Sequence, residues 1–189
     1  MTKPIPTREG AIESRRILVF DDLVPKDQIA RMATALEANA FTKSEIAKPE
    51  TKDYKHWVRE IQLEATRKLP IYSAAIAAAE CFCANGESYR MYRSYCNYAS
   101  FGDMLFIHTD AQPGARELTA LWFIAPEWHP EWGGETLFFN GEMDAEFVAS
   151  PRPGRLVIFD GAIPHVGRPP TRICFAPRYT YAMKFELEK

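Results

Sequence analysis

Residues 178–185 read RYTYAMKF. In a strand, alternate side chains share a face. Arg178, Thr180, Ala182 and Lys184 then fall on one side, and Tyr179, Tyr181, Met183 and Phe185 on the other. The aromatic side needs an apolar cover. The polar side is costly to bury unless it lines a wet, ligand-bearing pocket. This one segment therefore asks for a sheet with a helical layer behind it and a polar cavity in front.

The flanking sequence supplies both. Candidate strands YRMYRSYCNY, DMLFIHTD, ELTALWFIA, GETLFF, DAEFVA and RLVIFD follow Gly86 and are cut by Gly and Pro at short intervals. Short strands at such spacing predict an antiparallel sandwich or barrel. Upstream, RILVFDDLV suits a strand running into a turn. Pro25 opens a helix, its fixed φ suiting a first turn, and Ile29, Met32, Ala33 and Leu36 recur there at helical spacing. A second helix is expected over Tyr54–Lys68, with Trp57, Ile61 and Ala65 on one face, and a third over IYSAAIAAAECF after Pro70. The expected layout is a flexible lead over residues 1–15 and a single domain over 16–189, with 16–83 a mostly helical support layer and 84–189 the β core. The helices are expected to pack on the outer face of one sheet.

Composition narrows the function. A net charge of -2, with no block of like charge, gives no reason to expect nucleic acid as a partner. The first ten residues lack the apolar core of a signal peptide, and the most apolar stretch, LPIYSAAIAAAECF, is too short to span a bilayer. Cys81, Cys83, Cys96 and Cys174 offer no zinc-type pair of CxxC units and read as reduced thiols. A cytoplasmic location without membrane contact is the expectation, and nothing in the sequence sets an oligomeric state.

Four histidines are present: His56, His108, His129 and His165. His108 and Asp110 form an H-x-D at the end of the apolar run MLFI, and His165 ends RLVIFDGAIPH. Alternate strand residues share a face, so His108 and Asp110 can reach one ion while Thr109 points away. Two imidazoles and one carboxylate on one face of an octahedron leave three positions open, the arrangement of non-heme iron(II) oxygenases. A closed structural zinc site would need a fourth protein ligand. His56 reads as a surface or capping residue of the expected second helix, and His129, in EWHPEW, as a solvent-facing loop residue. Gly133 and Gly134 permit a tight turn, and no helix carrying Lys-Ser/Thr follows to make a phosphate loop.

Five pieces occur in order: RRILVFDDLVPKDQIARMATALEANAFT, YASFGDMLFIHTD, GGETLFF, SPRPGRLVIFDGAIPH and PRYTYAMKF. From about Arg16 to Phe185 the chain resembles the prolyl 4-hydroxylase-like branch of the iron(II)/2-oxoglutarate dioxygenases. The resemblance implies a double-stranded β-helix, or jelly roll, mainly β with N-terminal helices packed on the major sheet. It implies iron(II), 2-oxoglutarate and dioxygen as cofactor and cosubstrates, with ascorbate as a reductant. His108, Asp110 and His165 match the iron ligands. The family holds the far carboxylate of 2-oxoglutarate with a basic residue after the last histidine. The candidates are Arg168, Arg172, Arg178 and Lys184, of which Arg178, at the start of the final strand, is expected and Arg172 is the alternative. An arginine fork grips a carboxylate through two parallel hydrogen bonds. Thr180 is expected to add a hydroxyl donor, and Tyr98 lies where the family places a tyrosine that contacts 2-oxoglutarate. Phe123 stands where some members have a donor tyrosine. Thr119 and Leu121 share its inward face, and Trp122 points the other way.

The implied activity is hydroxylation of an unactivated C–H bond, with release of succinate and CO2. Asp110 matters here, because related halogenases replace the carboxylate to admit chloride. The substrate is expected to be a small metabolite or amino-acid-like molecule, with Arg90, Arg93, Trp122, Trp128, Trp132 and Lys184 at its pocket or rim. Prolyl or other peptidyl hydroxylation is the alternative. Rival classes are a cupin-like metal-binding protein, which would present H-x-H and a glutamate that this chain lacks, and a noncatalytic binding module on the same fold.

Overall fold

The computed structural model describes residues 3–188. The strands are β1 (Arg8–Ile12), β2 (Arg15–Phe20), β3 (Thr42–Glu45), β4 (His56–Glu60), β5 (Tyr89–Ala99), β6 (Glu117–Phe123), β7 (Thr136–Phe139), β8 (Ala145–Ala149), β9 (Leu156–Asp160), β10 (His165–Gly167) and β11 (Arg178–Leu187). The α-helices are α1 (Lys26–Glu37), α2 (Leu63–Arg67) and α3 (Pro70–Ala79). An eight-stranded sheet in the order β1-β2-β9-β6-β11-β5-β4-β3 faces a three-stranded sheet in the order β10-β7-β8, and all named pairings are antiparallel. This is the expected jelly-roll sandwich with helices on the larger sheet.

Two apolar clusters hold the three layers. Ile29, Ala33 and Leu36 of α1 and Ile71, Ala75 and Ala78 of α3 pack on Trp122, Tyr179, Tyr181, Met183 and Phe185 of the major sheet. Between the sheets lie Ile17, Val19, Leu121, Phe123, Phe138, Val157, Phe159 and Ile163. The aromatic face of β11 thus meets the helices, as its alternation predicts, and Trp122 points away from Phe123.

The first 83 residues differ from the sequence expectation. Residues 8–12, expected in a flexible lead, form β1, an edge strand closed on β2 by a two-residue turn in which Glu13 adopts a positive φ of 54°. An edge strand can stay polar on its solvent side, and here only Ile12 is fully buried. The region 16–83 is not mostly helical, since it also carries β2, β3 and β4. The expected helix over Tyr54–Lys68 is strand β4 followed by the five-residue α2. Trp57 and Val58 are strand formers, and the open edge of β5 gives them partners, with Trp57 opposite Tyr98. Tertiary pairing outweighs the i, i+4 spacing of Trp57, Ile61 and Ala65.

DMLFIHTD is not a regular strand either. His108 alone bridges His165, through His108 N–H to His165 O at 3.0 Å and His165 N–H to His108 O at 2.9 Å. His165 itself begins β10, a strand the sequence reading did not foresee. Among the described residues no helix is long and apolar enough to cross a membrane.

Candidate metal centre

The bridge between His108 and His165 sets two imidazoles side by side, with ring centroids 4.5 Å apart. His108 Nδ1 lies 2.9 Å from Phe106 O, and His165 Nδ1 lies 2.9 Å from Ile163 O. A carbonyl only accepts, so each Nδ1 carries a proton, and in the neutral ring the lone pair sits on Nε2. Both Nε2 atoms turn to Asp110, at 3.5 Å for His108 to Oδ1 and 3.4 Å for His165 to Oδ2. One donor atom from each of the three residues lies within 4.8 Å of the others. Among the described residues no fourth His, Cys, Asp or Glu joins them. Two neutral imidazoles and a carboxylate, with the rest of the sphere free, suit a six-coordinate transition metal with exchangeable positions.

The electrostatics of the two imidazoles differ. Burial pushes the His165 imidazole down to about 4, leaving it neutral and able to ligate at neutral pH. Burial acts the same way on His108, but the adjacent Asp110 carboxylate, aided by Phe106 O, outweighs burial and holds the imidazole above its ordinary value. Burial would raise the Asp110 carboxyl, yet Lys184, His165 and His108 hold it well below the usual carboxylate range.

The triad opens on a cavity of about 280 Å³ lined by the inner faces of β5, β6 and β11. Arg178, Thr180, Ala182 and Lys184 all line it, so the polar face of RYTYAMKF points into the cavity. Arg178 is 4% exposed. Its Nε donates to Gly134 O at 2.6 Å and its Nη2 to Thr136 Oγ1 at 3.1 Å, which leaves Nη1 free of protein acceptors among the described residues. Burial draws its guanidinium down to about 10, still cationic at neutral pH. Two glycines make room for it. Gly134, at φ 81°, would place a Cβ 3.1 Å from Arg178 Cδ, and a Cβ at Gly167 would sit 3.0 Å from Nη2. The guanidinium also lies 5.3 Å from the centre of the Phe123 ring, so Phe123 supports the arginine by its face instead of donating to a ligand. Arg172, the alternative anchor, is exposed and outside the cavity wall. Thr119, Leu121 and Thr180 line the cavity as expected.

Several site expectations are corrected. Tyr98 touches the cavity wall, but it pairs with Tyr179 and its ring packs on Phe41 at 5.9 Å and Tyr179 at 5.8 Å, on the helix-facing side. Its neighbour Asn97 occupies the inward position opposite Thr180, and Asn97 Oδ1 is buried without a protein partner. His56 is not a helix-surface residue. It starts β4, lines the cavity, and burial lowers its pKa. Of the expected rim residues, Arg93 and Lys184 line the cavity, whereas Arg90 pairs with Glu186 away from it. Trp128 donates to Gly133 O and packs edge-on against Trp132 at 5.5 Å, and Trp122 lies in the helix-facing core. His129 is the N-cap of the 3-10 turn Pro130–Trp132 and stays exposed, as the sequence suggested. The reading missed Glu45, Tyr95 and Asn97. Alternation along β5 puts Tyr95 and Asn97 on one face and Tyr98 on the other, and the pairing with β11 makes the first face the inward one.

Comparison with known proteins agrees with the geometry. The family model described as 2OG-Fe(II) oxygenase superfamily matches residues 93–185, a span that contains all three triad residues, Arg178 and Thr180. No curated protein matches by sequence. Among solved structures, a Pseudomonas putida prolyl-4-hydroxylase is similar at TM-score 0.66 and 16% identity, over 93% of this chain and 94% of that one. A Trichoplax adhaerens prolyl hydroxylase in complex with a hypoxia inducible factor peptide is similar at TM-score 0.63 and 15% identity, over 90% of this chain and 83% of that one. EctD from S. alaskensis with 2-oxoglutarate and 5-hydroxyectoine is similar at TM-score 0.58 and 17% identity, over 90% of this chain and 71% of that one.

Proposed function

We propose that this chain, whose residues 93–185 match the 2OG-Fe(II) oxygenase superfamily model, is a 2-oxoglutarate-dependent dioxygenase that hydroxylates an unactivated C–H bond of a small, polar, amino-acid-like substrate. In this reading His108, Asp110 and His165 hold iron(II), and Arg178 with Thr180 takes the far carboxylate of 2-oxoglutarate. Iron(II) and 2-oxoglutarate supply the oxidising chemistry: one oxygen atom of O2 enters the substrate C–H bond and the other goes to 2-oxoglutarate, which leaves as succinate and CO2.

The protein's own contribution is placement. The Nδ1–H bonds to Phe106 O and Ile163 O fix both imidazole tautomers before any metal arrives. Asp110 completes the donor set and keeps the position that a halide would need. Arg178, held by Gly134 O and Thr136 Oγ1, presents a preset fork with Nη1 unused. Leu105, Phe106 and Leu121 give the wall its apolar share and limit water.

The observation that carries the proposal is the convergence of three protein donors on one cavity that also holds the buried cation Arg178. The small-substrate reading is supported by the cavity's size and by Glu45, His56, Arg93 and Lys184 in its wall, since few but placed polar groups orient small ligands. Peptidyl hydroxylation is the second reading. Its support is the exposed Ile46, Tyr54, Phe101 and Met104, with Ile46 on the cavity wall and Tyr54 packed at 5.5 Å on the wall residue Phe106. Anaerobic addition of 2-oxoglutarate to the iron(II)-loaded protein is expected to give a weak visible charge-transfer band. Its absence would favour the cupin-like or noncatalytic alternatives. A screen of metabolites and peptides by succinate release then decides the substrate class, and stimulation by peptides alone would reject the small-substrate reading.

A further inference from the structure

We propose that Lys184 is a positioning residue that acts through Asp110: it holds the carboxylate while no metal is bound, and it makes retention of a divalent metal depend on 2-oxoglutarate. The proposal rests on the reading of His108, Asp110 and His165 as the metal ligands.

Lys184 sits on the inner face of β11 and is only 4% exposed. Its ammonium pairs with Asp110 Oδ2 and donates to Thr119 Oγ1 at 3.0 Å. Thr119 Oγ1 in turn donates to the same Asp110 Oδ2 at 2.6 Å. Both clamps fall on one oxygen. Asp110 Oδ1 receives neither and faces His108 Nε2, while His165 Nε2 lies 3.4 Å from the clamped Oδ2. Only Oδ1 is free of both Lys184 and Thr119, so a metal that uses Oδ2 competes with them.

The charges around this clamp do not balance once a metal binds. Asp110 is the carboxylate in direct contact with Lys184, whose ammonium otherwise meets Thr119 Oγ1 and, 5.8 Å from Nζ, the Tyr95 ring. Arg93, the next cation on the wall, is already engaged by Glu45 and Glu60. A dication at the triad draws on the charge of Asp110 and leaves a buried ammonium beside it, with Arg178 a third cation on the same face of β11. Repulsion among like charges is weakly screened in such a wall. A dianion chelating the metal and reaching Arg178 relieves it. Metal and 2-oxoglutarate must then raise each other's affinity by the same factor. If Lys184 only steered the carboxylate, its removal would loosen the metal. If its charge dominates, removal tightens the metal and shrinks the coupling.

The sign of that change is the test. Mn(II), which supports binding without turnover, is titrated into metal-free protein under anaerobic conditions, with and without 2-oxoglutarate, and free Mn(II) is read by its electron paramagnetic resonance signal. Wild-type protein should bind Mn(II) on the order of tenfold more tightly with 2-oxoglutarate present. Lys184→Met should bind Mn(II) alone more tightly than wild type and lose most of the 2-oxoglutarate gain. Lys184→Arg should restore the gain, and Thr119→Val, which removes a hydrogen bond but no charge, should keep it. Looser Mn(II) binding in Lys184→Met, or an undiminished gain, overturns the proposal. If Lys184→Met does not fold, Lys184→Gln, which also removes the charge, is titrated in its place, and looser Mn(II) binding or an undiminished gain there overturns the proposal. Asp110→Ala tests the underlying site separately: Mn(II) binding that survives in this variant sinks the metal-site reading itself.

Discussion

On the outer face of β11, Tyr179, Tyr181, Met183 and Phe185 are packed under α1 and α3, while on the inner face Arg178, Thr180, Ala182 and Lys184 line the cavity. Both sets are buried, and they differ in what offsets the burial. On the outer side, apolar area removed from water is itself the stabilising contribution, and side chains of similar volume are interchangeable at modest cost. On the inner side each polar group depends on particular partners: Gly134 O and Thr136 for Arg178, Asp110 and Thr119 for Lys184. Truncation outside should therefore change stability and spare the chemistry. Truncation inside should change binding at specific atoms.

The largest effect is expected at the centre of the inner side. His165→Ala removes one of three donors and should reduce 2-oxoglutarate-dependent succinate formation to the level of metal-free protein, while the variant still unfolds cooperatively in urea. If it also failed to fold, the division between the two faces would break at its most important point. Next is Phe185→Ala, which opens a hole in the fully buried helix-facing cluster and should cost about 3–5 kcal/mol in urea unfolding. The folded fraction should bind 2-oxoglutarate as wild type does, and a weakened affinity there would mean that the faces are coupled.

Arg178→Ala should weaken 2-oxoglutarate binding by about 1.5–3 kcal/mol in anaerobic calorimetry, the range for a hydrogen bond to a charged group. Exposed Arg172→Ala should leave that affinity unchanged, and the reverse pattern would reassign the anchor. The smallest effect sharpens the comparison at a third place, remote from any ligand. Asp21 accepts two hydrogen bonds from Arg155, at 2.8 and 2.9 Å, and that contact holds its carboxyl below the ordinary value. A carboxyl depressed in the folded state stabilises above its unfolded pKa, and that stabilisation fades as pH falls through the folded pKa. Asp21→Asn should therefore cost about 2 kcal/mol at neutral pH, with the gap to wild type closing in acid and succinate formation untouched. A gap independent of pH would mean that packing, not charge, holds this pair.

Much of the site was legible because it uses scarce residue types in places where chance is a poor explanation. With four histidines in the chain, one in H-x-D and another after RLVIFD form a narrow pattern. Strand alternation put Arg178 on the polar face with Thr180 and Lys184, and the family resemblance singled it out among them. Tyr98 and Asn97 were not, because neighbouring residues on a strand face opposite sides and only the pairing with β11 says which side is which. His56 was hidden for a different reason. Local spacing around Trp57 suits a helix, and it is the unpaired edge of β5, remote in sequence, that turns it into a strand.

By itself the sequence determined which residue types were available for metal and carboxylate chemistry, that β11 has two incompatible faces, and that helices must cover one of them. Those are consequences of side-chain chemistry and of the strand's two-residue period, both local. Only the tertiary structure decided that His108 meets His165 across a single bridge, that Asn97 and not Tyr98 faces inward, and that Lys184 closes on Asp110. Each of these is a pairing between segments distant along the chain, and register between strands is fixed by the packing of the whole sandwich rather than by any one segment.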